Sequence, residues 1–264
     1  DHIRKVDPNA VMICEHFVSD ENYDLGHADI KVWQNMNEAY RESLMGWISD
    51  KSNIDGVQDV NVSWLPFGTY VGYMESHDEE RAMYSAQEYG TESVKSDYKV
   101  RLKRAGLNAG FFLLVPGPKM IWQFGELGYD YSITYNNDRT GKKPYVTPSY
   151  YNDANRKALY DTYAMFLKFR RDNPRFFDDD VEFSWGVGAT NTPGRYMFAK
   201  NADGQRFALF GNVGSGKQTV TITLPHGGTW YDYNTGAEWK GANHSPQMSE
   251  GQFYILVNDK SMCL

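Results

Sequence analysis

The stretch Val71-Gly-Tyr-Met-Glu-Ser-His-Asp-Glu-Glu-Arg81 passes abruptly from an apolar, β-prone run into a cluster of ionisable side chains. Ala10–Cys14 has the same form and runs into Glu15-His16; Lys119–Phe124 leads into Gly125-Glu126. In a parallel α/β barrel, side chains at the C-terminal ends of the strands converge on substrate. The three runs, each ending in a carboxylate, therefore predict one cleft, with Glu15, Asp78 and Glu126 on one face and Glu15 and Asp78 bordering it. Hydrolysis of a glycosidic bond needs a proton donor and a carboxylate placed about an oxocarbenium-like transition state. Glu15 is expected to be the donor, since burial at a strand end raises a carboxyl pKa. Asp78 would supply negative charge and bind sugar hydroxyls, with His77 beside it as a hydrogen-bond donor. The blander reading of these residues is a set of salt bridges around a barrel rim. A metal centre at Glu15-His16 and His77-Asp78 finds no H-E-x-x-H or cysteine pairing in its support.

The elements that must position these groups follow from periodicity. Asn9–Cys14, Asp29–Trp33, Tyr70–Met74 and Lys119–Phe124 read as short strands, the first a fully buried parallel one. Helical spacing appears over Asn35–Trp47, over most of Val94–Leu114, and most clearly over Asp153–Arg171, where Leu159, Tyr163, Phe166, Leu167 and Arg170 share a face. Pro116-Gly117-Pro118 and Asn173-Pro174 end the last two. Val18–His27, Lys51–Gly68 and Gly128–Pro148 read as loops. From Val181 the texture changes to short strands (Arg195–Ala199, Arg206–Phe210, Thr219–Leu224, Thr229–Tyr233, Gln252–Val257) separated by Gly, Asn and Pro turns, the pattern of an antiparallel β-sandwich. The expected division is residues 1–178 and 179–264. About four strands lie in the first part, half the number in a closed barrel of about 250 residues.

Composition narrows the partners. The chain has 264 residues, 41% hydrophobic and 23% charged, as in globular proteins, with a net charge of −7. No Lys/Arg-rich run suggests nucleic acid, and no apolar run approaches the roughly 18 residues of a membrane span. Nineteen Tyr, 14 Phe and 7 Trp offer flat faces that can stack on sugar rings, although most such residues serve as core. Two cysteines, Cys14 and Cys263, leave the redox compartment open. Gly214-Ser-Gly-Lys217 lacks the full phosphate-loop spacing and reads as a hairpin turn. His226, Trp230, Tyr231 and Trp239 are either a sugar-binding surface or packing within the tail.

Three ordered blocks carry a family resemblance. Ile13-Cys-Glu-His16, Tyr73-Met-Glu-Ser-His-Asp78 and Pro116-Gly-Pro-Lys-Met-Ile-Trp122 with Gly125-Glu-Leu-Gly128 resemble successive motifs of the α-amylase family of glycoside hydrolases. The resemblance spans nearly the whole chain and implies the C-terminal half of a (β/α)8 barrel, about strands five to eight, then a β-sandwich domain. It implies Glu15 as acid/base, Asp78 as transition-state stabiliser, and His77, His16, Trp122 and Glu126 as substrate-binding residues. The implied ligand is an α-glucan oligosaccharide or polysaccharide. Ser76 departs from the usual Asn, and Phe124 from the usual Gly. The family nucleophile, an Asp after strand four, has no counterpart in the 14 residues before Glu15. The resemblance therefore implies a chain inactive alone, with no cofactor of its own; calcium would accompany an upstream inserted domain. A half barrel with open edges is expected to self-associate. The competing expectation is a non-catalytic carbohydrate-binding or structural module.

Overall fold

A computed structural model describes residues 2–57 and 64–264. The chain opens with α1 (His2–Val6), β1 (Met12–Cys14), α2 (Asn22–His27), β2 (Ile30–Asn35) and α3 (Asn37–Met45). Then come β3 (Tyr70–Tyr73), α4 (Ala82–Tyr89), α5 (Glu92–Ser96), α6 (Tyr98–Leu113), β4 (Lys119–Met120), α7 (Thr147–Asn152) and α8 (Ala154–Asp172). The four strands form one parallel sheet in the order β1-β2-β3-β4, with Cys14 beside Val32, Asn35 beside Tyr73 and Tyr73 beside Met120. All four strands thus end along one edge of the sheet, where Glu15, Asn35, the Glu75–Asp78 segment and Trp122 follow.

Several expectations are corrected. Val18–His27 is not a loop, because it contains α2. The strand expected over Asn9–Cys14 shortens to Met12–Cys14 and is not buried: Val11 and Ile13 are exposed because β1 is an edge strand. Lys119–Phe124 keeps its strand form only at Lys119–Met120, and the chain then turns, with Phe124 left-handed at φ 67°. The helical stretch near Val94–Leu114 is two helices, broken where the Asp97 carboxylate accepts the Lys99 N–H and caps α6. Part of Lys51–Gly68, residues 58–63, lies outside the described residues.

The tail is antiparallel. β5 (Glu182–Gly186), β6 (Gly194–Lys200) and β7 (Arg206–Asn212) are followed by β8 (Gln218–Thr219), β9 (Ile222–Thr223), β10 (Thr229–Asp232), β11 (Glu238–Lys240), β12 (Asn243–His244), β13 (Gln247–Met248) and β14 (Phe253–Val257). Six of them form a sheet in the order β11-β10-β14-β7-β6-β5; β12 pairs with β9 and β13 with β8. Ala208, Phe210, Trp230 and Leu256 of the large sheet pack with Val220, Ile222 and Met248 in a small core of their own. Trp230 is fully buried and Trp239 packs against that core, so these two serve as packing rather than as a sugar surface.

The opposite face of the large sheet meets the helices. α6 is buried along most of its length, and its core residues form one cluster with α8 and with Phe207, Leu209 and Ile255 of the sheet. Two glycines permit this approach. A Cβ on Gly110 of α6 would stand 2.8 Å from Phe166 Cζ, and one on Gly211 of β7 would stand 2.3 Å from Leu107 Cδ1. Arg104 of α6 pins the contact: it donates to the carbonyls of Ser43, Leu44 and Val213 and meets Glu250 Oε1 at 3.0 Å, with both side chains buried.

Candidate active site

Glu15 follows β1 directly, while His77 and Asp78 follow β3 by a short turn. Ser76 makes that turn: its hydroxyl accepts the Asp78 N–H at 3.1 Å and donates to Glu79, which also accepts from Asn35 Nδ2 at 2.5 Å and Tyr73 Oη at 3.3 Å. Burial, then the charge and hydrogen bond of Glu79, raises the Tyr73 phenol above its usual pKa; the charges of Glu15 and Asp78 add to this.

His77 stands between the two carboxylates. Its Nε2 is 3.7 Å from Glu15 Oε1 and 3.5 Å from Asp78 Oδ2, distances of ion pairing rather than of hydrogen bonding. One donor atom from each of the three lies within 4.8 Å of the other two, the only such His/Cys/Asp/Glu trio among the described residues. The same three groups could converge on a divalent cation. They could equally grasp a sugar, because none is committed to the protein interior. The burial expected for Glu15 is absent: its side chain is 44% exposed.

Aromatic rings wall the site. His77 has the Trp33 ring at 5.8 Å and the Trp122 ring at 6.2 Å between centroids. A groove of about 470 Å³ opens beside the trio, lined by His77 but not by Glu15 or Asp78, with Trp122, Phe124, Tyr129, Arg139 and Tyr145 among its other walls. Phe124 stacks on Tyr129 at 6.0 Å. Its positive φ accounts for the glycine that the resemblance leads one to expect there, since a side chain in this conformation costs roughly 1–2 kcal/mol.

Of the other residues singled out from sequence, Trp122 reaches the site and two do not. His16 turns to Glu21 Oε2 at 3.0 Å. Glu126 sits in the short helical turn Gly125–Leu127 and is not part of the Glu15–His77–Asp78 trio. Burial, then the charge of Glu75 and last that of Glu126, raises the pKa of the Tyr163 phenol. Glu75 is also structural: buried, it accepts from Arg81 Nη1 at 2.9 Å and from the Ala82 N–H at 2.7 Å.

Sequence reasoning missed two arginines. Arg139 donates to Asp78 Oδ1 at 3.0 Å and to the Asp78 carbonyl at 2.7 Å. It lies in a polar loop with no motif, and only the Asp138 side chain, accepting the N–H groups of Thr140 and Gly141, hints at an ordered turn there. Arg81 lies over the Tyr129 ring at 4.7 Å and donates to the Gln123 carbonyl at 3.0 Å, joining the β3 and β4 ends. Its place straight after the acidic cluster was the available signal.

No family model and no curated protein matches the chain. Solved structures do. An α-amylase from H. orenii superposes with a TM-score of 0.63 at 17% identity, over 98% of this chain and 55% of that one. A pullulanase from Anoxybacillus sp. LM18-11, complexed with maltotriose, gives 0.68 at 11% identity, over 97% and 40%. The pullulanase from Bacillus acidopullulyticus gives 0.64 at 14% identity, over 97% and 35%. The chain thus spans between about a third and just over a half of the structures it matches. Over nearly its whole length, this chain has the fold of part of the α-amylases and pullulanases, the family that its strand-end motifs resemble.

Proposed function

We propose that the chain supplies the acid/base side of the cleft in a retaining, α-glucan-active glycoside hydrolase. On this reading β1–β4 correspond to strands five to eight of a (β/α)8 barrel, and residues 179–264 form a C-terminal β-sandwich domain. The observation that carries the proposal is the convergence of Glu15, His77 and Asp78 beyond the ends of β1 and β3, two strands of one parallel sheet. Glu15 protonates the leaving glycosidic oxygen. Asp78, positioned by Arg139, stabilises the positive charge that develops on the sugar ring. His77 donates to a ring hydroxyl, and Trp122 walls the groove. The nucleophile is an aspartate outside this chain, set about 5 Å from the Glu15 carboxyl. Structural neighbours complexed with maltotriose or maltose support an α-glucan as the ligand.

The spacing itself favours a second reading. Glu15 and Asp78 approach within 4.8 Å, close to the separation of about 5–5.5 Å in retaining pairs, which would make Asp78 the nucleophile. An assay on soluble starch separates the two. The proposal expects hydrolysis by the longer protein that carries this chain and none by the chain alone. Robust hydrolysis by the chain alone transfers the nucleophile to Asp78.

A further inference from the structure

A second groove, of about 540 Å³, lies between α4, the segment after Tyr129 and α7, and shares Tyr131 and Ser132 with the candidate catalytic groove. Four of its ten lining residues are tyrosines (Tyr84, Tyr131, Tyr135 and Tyr150), and none of the ten is Lys, Arg or His. We propose that this tyrosine groove is a second carbohydrate-binding site, taking a neutral oligosaccharide.

The lining chemistry selects that class. An anionic ligand finds no cation among the groove's described residues. The one acid there, Asp130, is already engaged: it accepts from Tyr150 Oη, and its other oxygen meets Arg156 Nη2 at 2.6 Å. An apolar ligand would leave the surrounding amides and hydroxyls without partners. A sugar ring satisfies both parts, because its C–H face stacks on a phenol while its hydroxyls bond to amides. Asn136 and Asn137 supply amides at the groove, both held at left-handed φ values of 57° and 58° that Asn tolerates better than most residues.

The rings are set before any ligand arrives. Arg156 lies 3.7 Å from the Tyr150 ring centroid, and Tyr131 meets Tyr135 edge-on at 5.3 Å. Tyr129 continues the row, 5.7 Å from Tyr131 and 6.4 Å from Tyr150. Aromatic side chains held in this way lose little conformational freedom on binding. The groove lies beside the candidate catalytic groove, so a bound chain would be held close to it.

The test is calorimetric titration of the chain with maltoheptaose, cellohexaose and xylohexaose. The choice of maltoheptaose rests on the α-glucan reading; the other two probes free the result from it. Tyr135→Ala is expected to weaken maltoheptaose binding about tenfold. Asn136→Gly keeps the backbone conformation, removes the amide, and is expected to weaken binding as well. His77→Ala, in the neighbouring groove, leaves this component unchanged. Binding of only another glycan, lost in Tyr135→Ala, sustains the site and sinks the α-glucan reading. No binding by any probe, or loss with His77→Ala alone, overturns the site.

Discussion

Four carboxylates at or just past strand ends, Glu15, Glu75, Asp78 and Glu126, read alike in the sequence, and their surroundings separate them. Glu75 is taken up by Arg81 and the start of α4, whereas Glu15 and Asp78 stay at the solvent boundary about His77. Sequence reasoning placed Glu15, His77 and Asp78 together because each follows an apolar run. It could not tell that Glu126 falls in a helical turn outside that trio, since the strand before it stops two residues in. Nor could it find Arg139, whose partner lies 61 residues away and carries no local pattern. The distinction is testable by urea unfolding. Glu75→Ala leaves a buried guanidinium without its carboxylate and is expected to cost about 3–5 kcal/mol. Asp78→Asn disturbs a half-exposed pair with Arg139 and is expected to cost less than about 1 kcal/mol.

At the scale of elements, the long amphipathic helices were the most legible. The helix expected over Asp153–Arg171 is Ala154–Asp172, shifted by one residue because Asp153 serves as its cap. The short strands were less so. A run such as Val11-Met-Ile-Cys14 has the same composition in the middle of a sheet as at its edge, and only the neighbouring strands decide its burial. Asp153 also yields a pH prediction. Hydrogen bonds from the N–H groups of Arg156, first, and of Asn155 hold its carboxyl below the usual 3.8. A lowered folded-state pKa contributes stability that is full above 3.8 and is lost as pH falls through the lower folded value. Asp153→Ala is therefore expected to cost about 1 kcal/mol at neutral pH, with the gap to the parent closing in strong acid. A gap that stayed constant with pH in thermal melts would deny the cap its role.

At the scale of the molecule, the change of texture near Phe177–Asp180 was legible, but the continuity across it was not. Phe169 and Phe176 lie on one side of it, and Phe207 and Tyr233 on the other; Phe169 meets both rings within 5.2 Å. The same core closes over Gly110, which the sequence places inside a helical stretch, and Gly211, just past an expected strand, where a Cβ would crowd Phe166 and Leu107. The parallel sheet, by contrast, ends at β1 and β4, with Val11, Ile13, Phe17, Val18 and Ile121 exposed near its margins. Apolar strand edges recruit partners. Sedimentation of the isolated chain is expected to show dimers or larger species; a clean monomer would count against the exposed-edge argument.

The central claim, that Glu15 is the proton donor of a glycosidase cleft, is tested most directly by Glu15→Gln in a protein that joins this chain to the proposed nucleophile-bearing half. Single-turnover cleavage would be compared on a maltooligosaccharide and on α-maltosyl fluoride, whose leaving group departs without a proton. The account predicts a fall of about 10²–10⁴-fold on the maltooligosaccharide, with cleavage of the fluoride largely retained. Near-parental cleavage of the maltooligosaccharide by the Gln variant would contradict it.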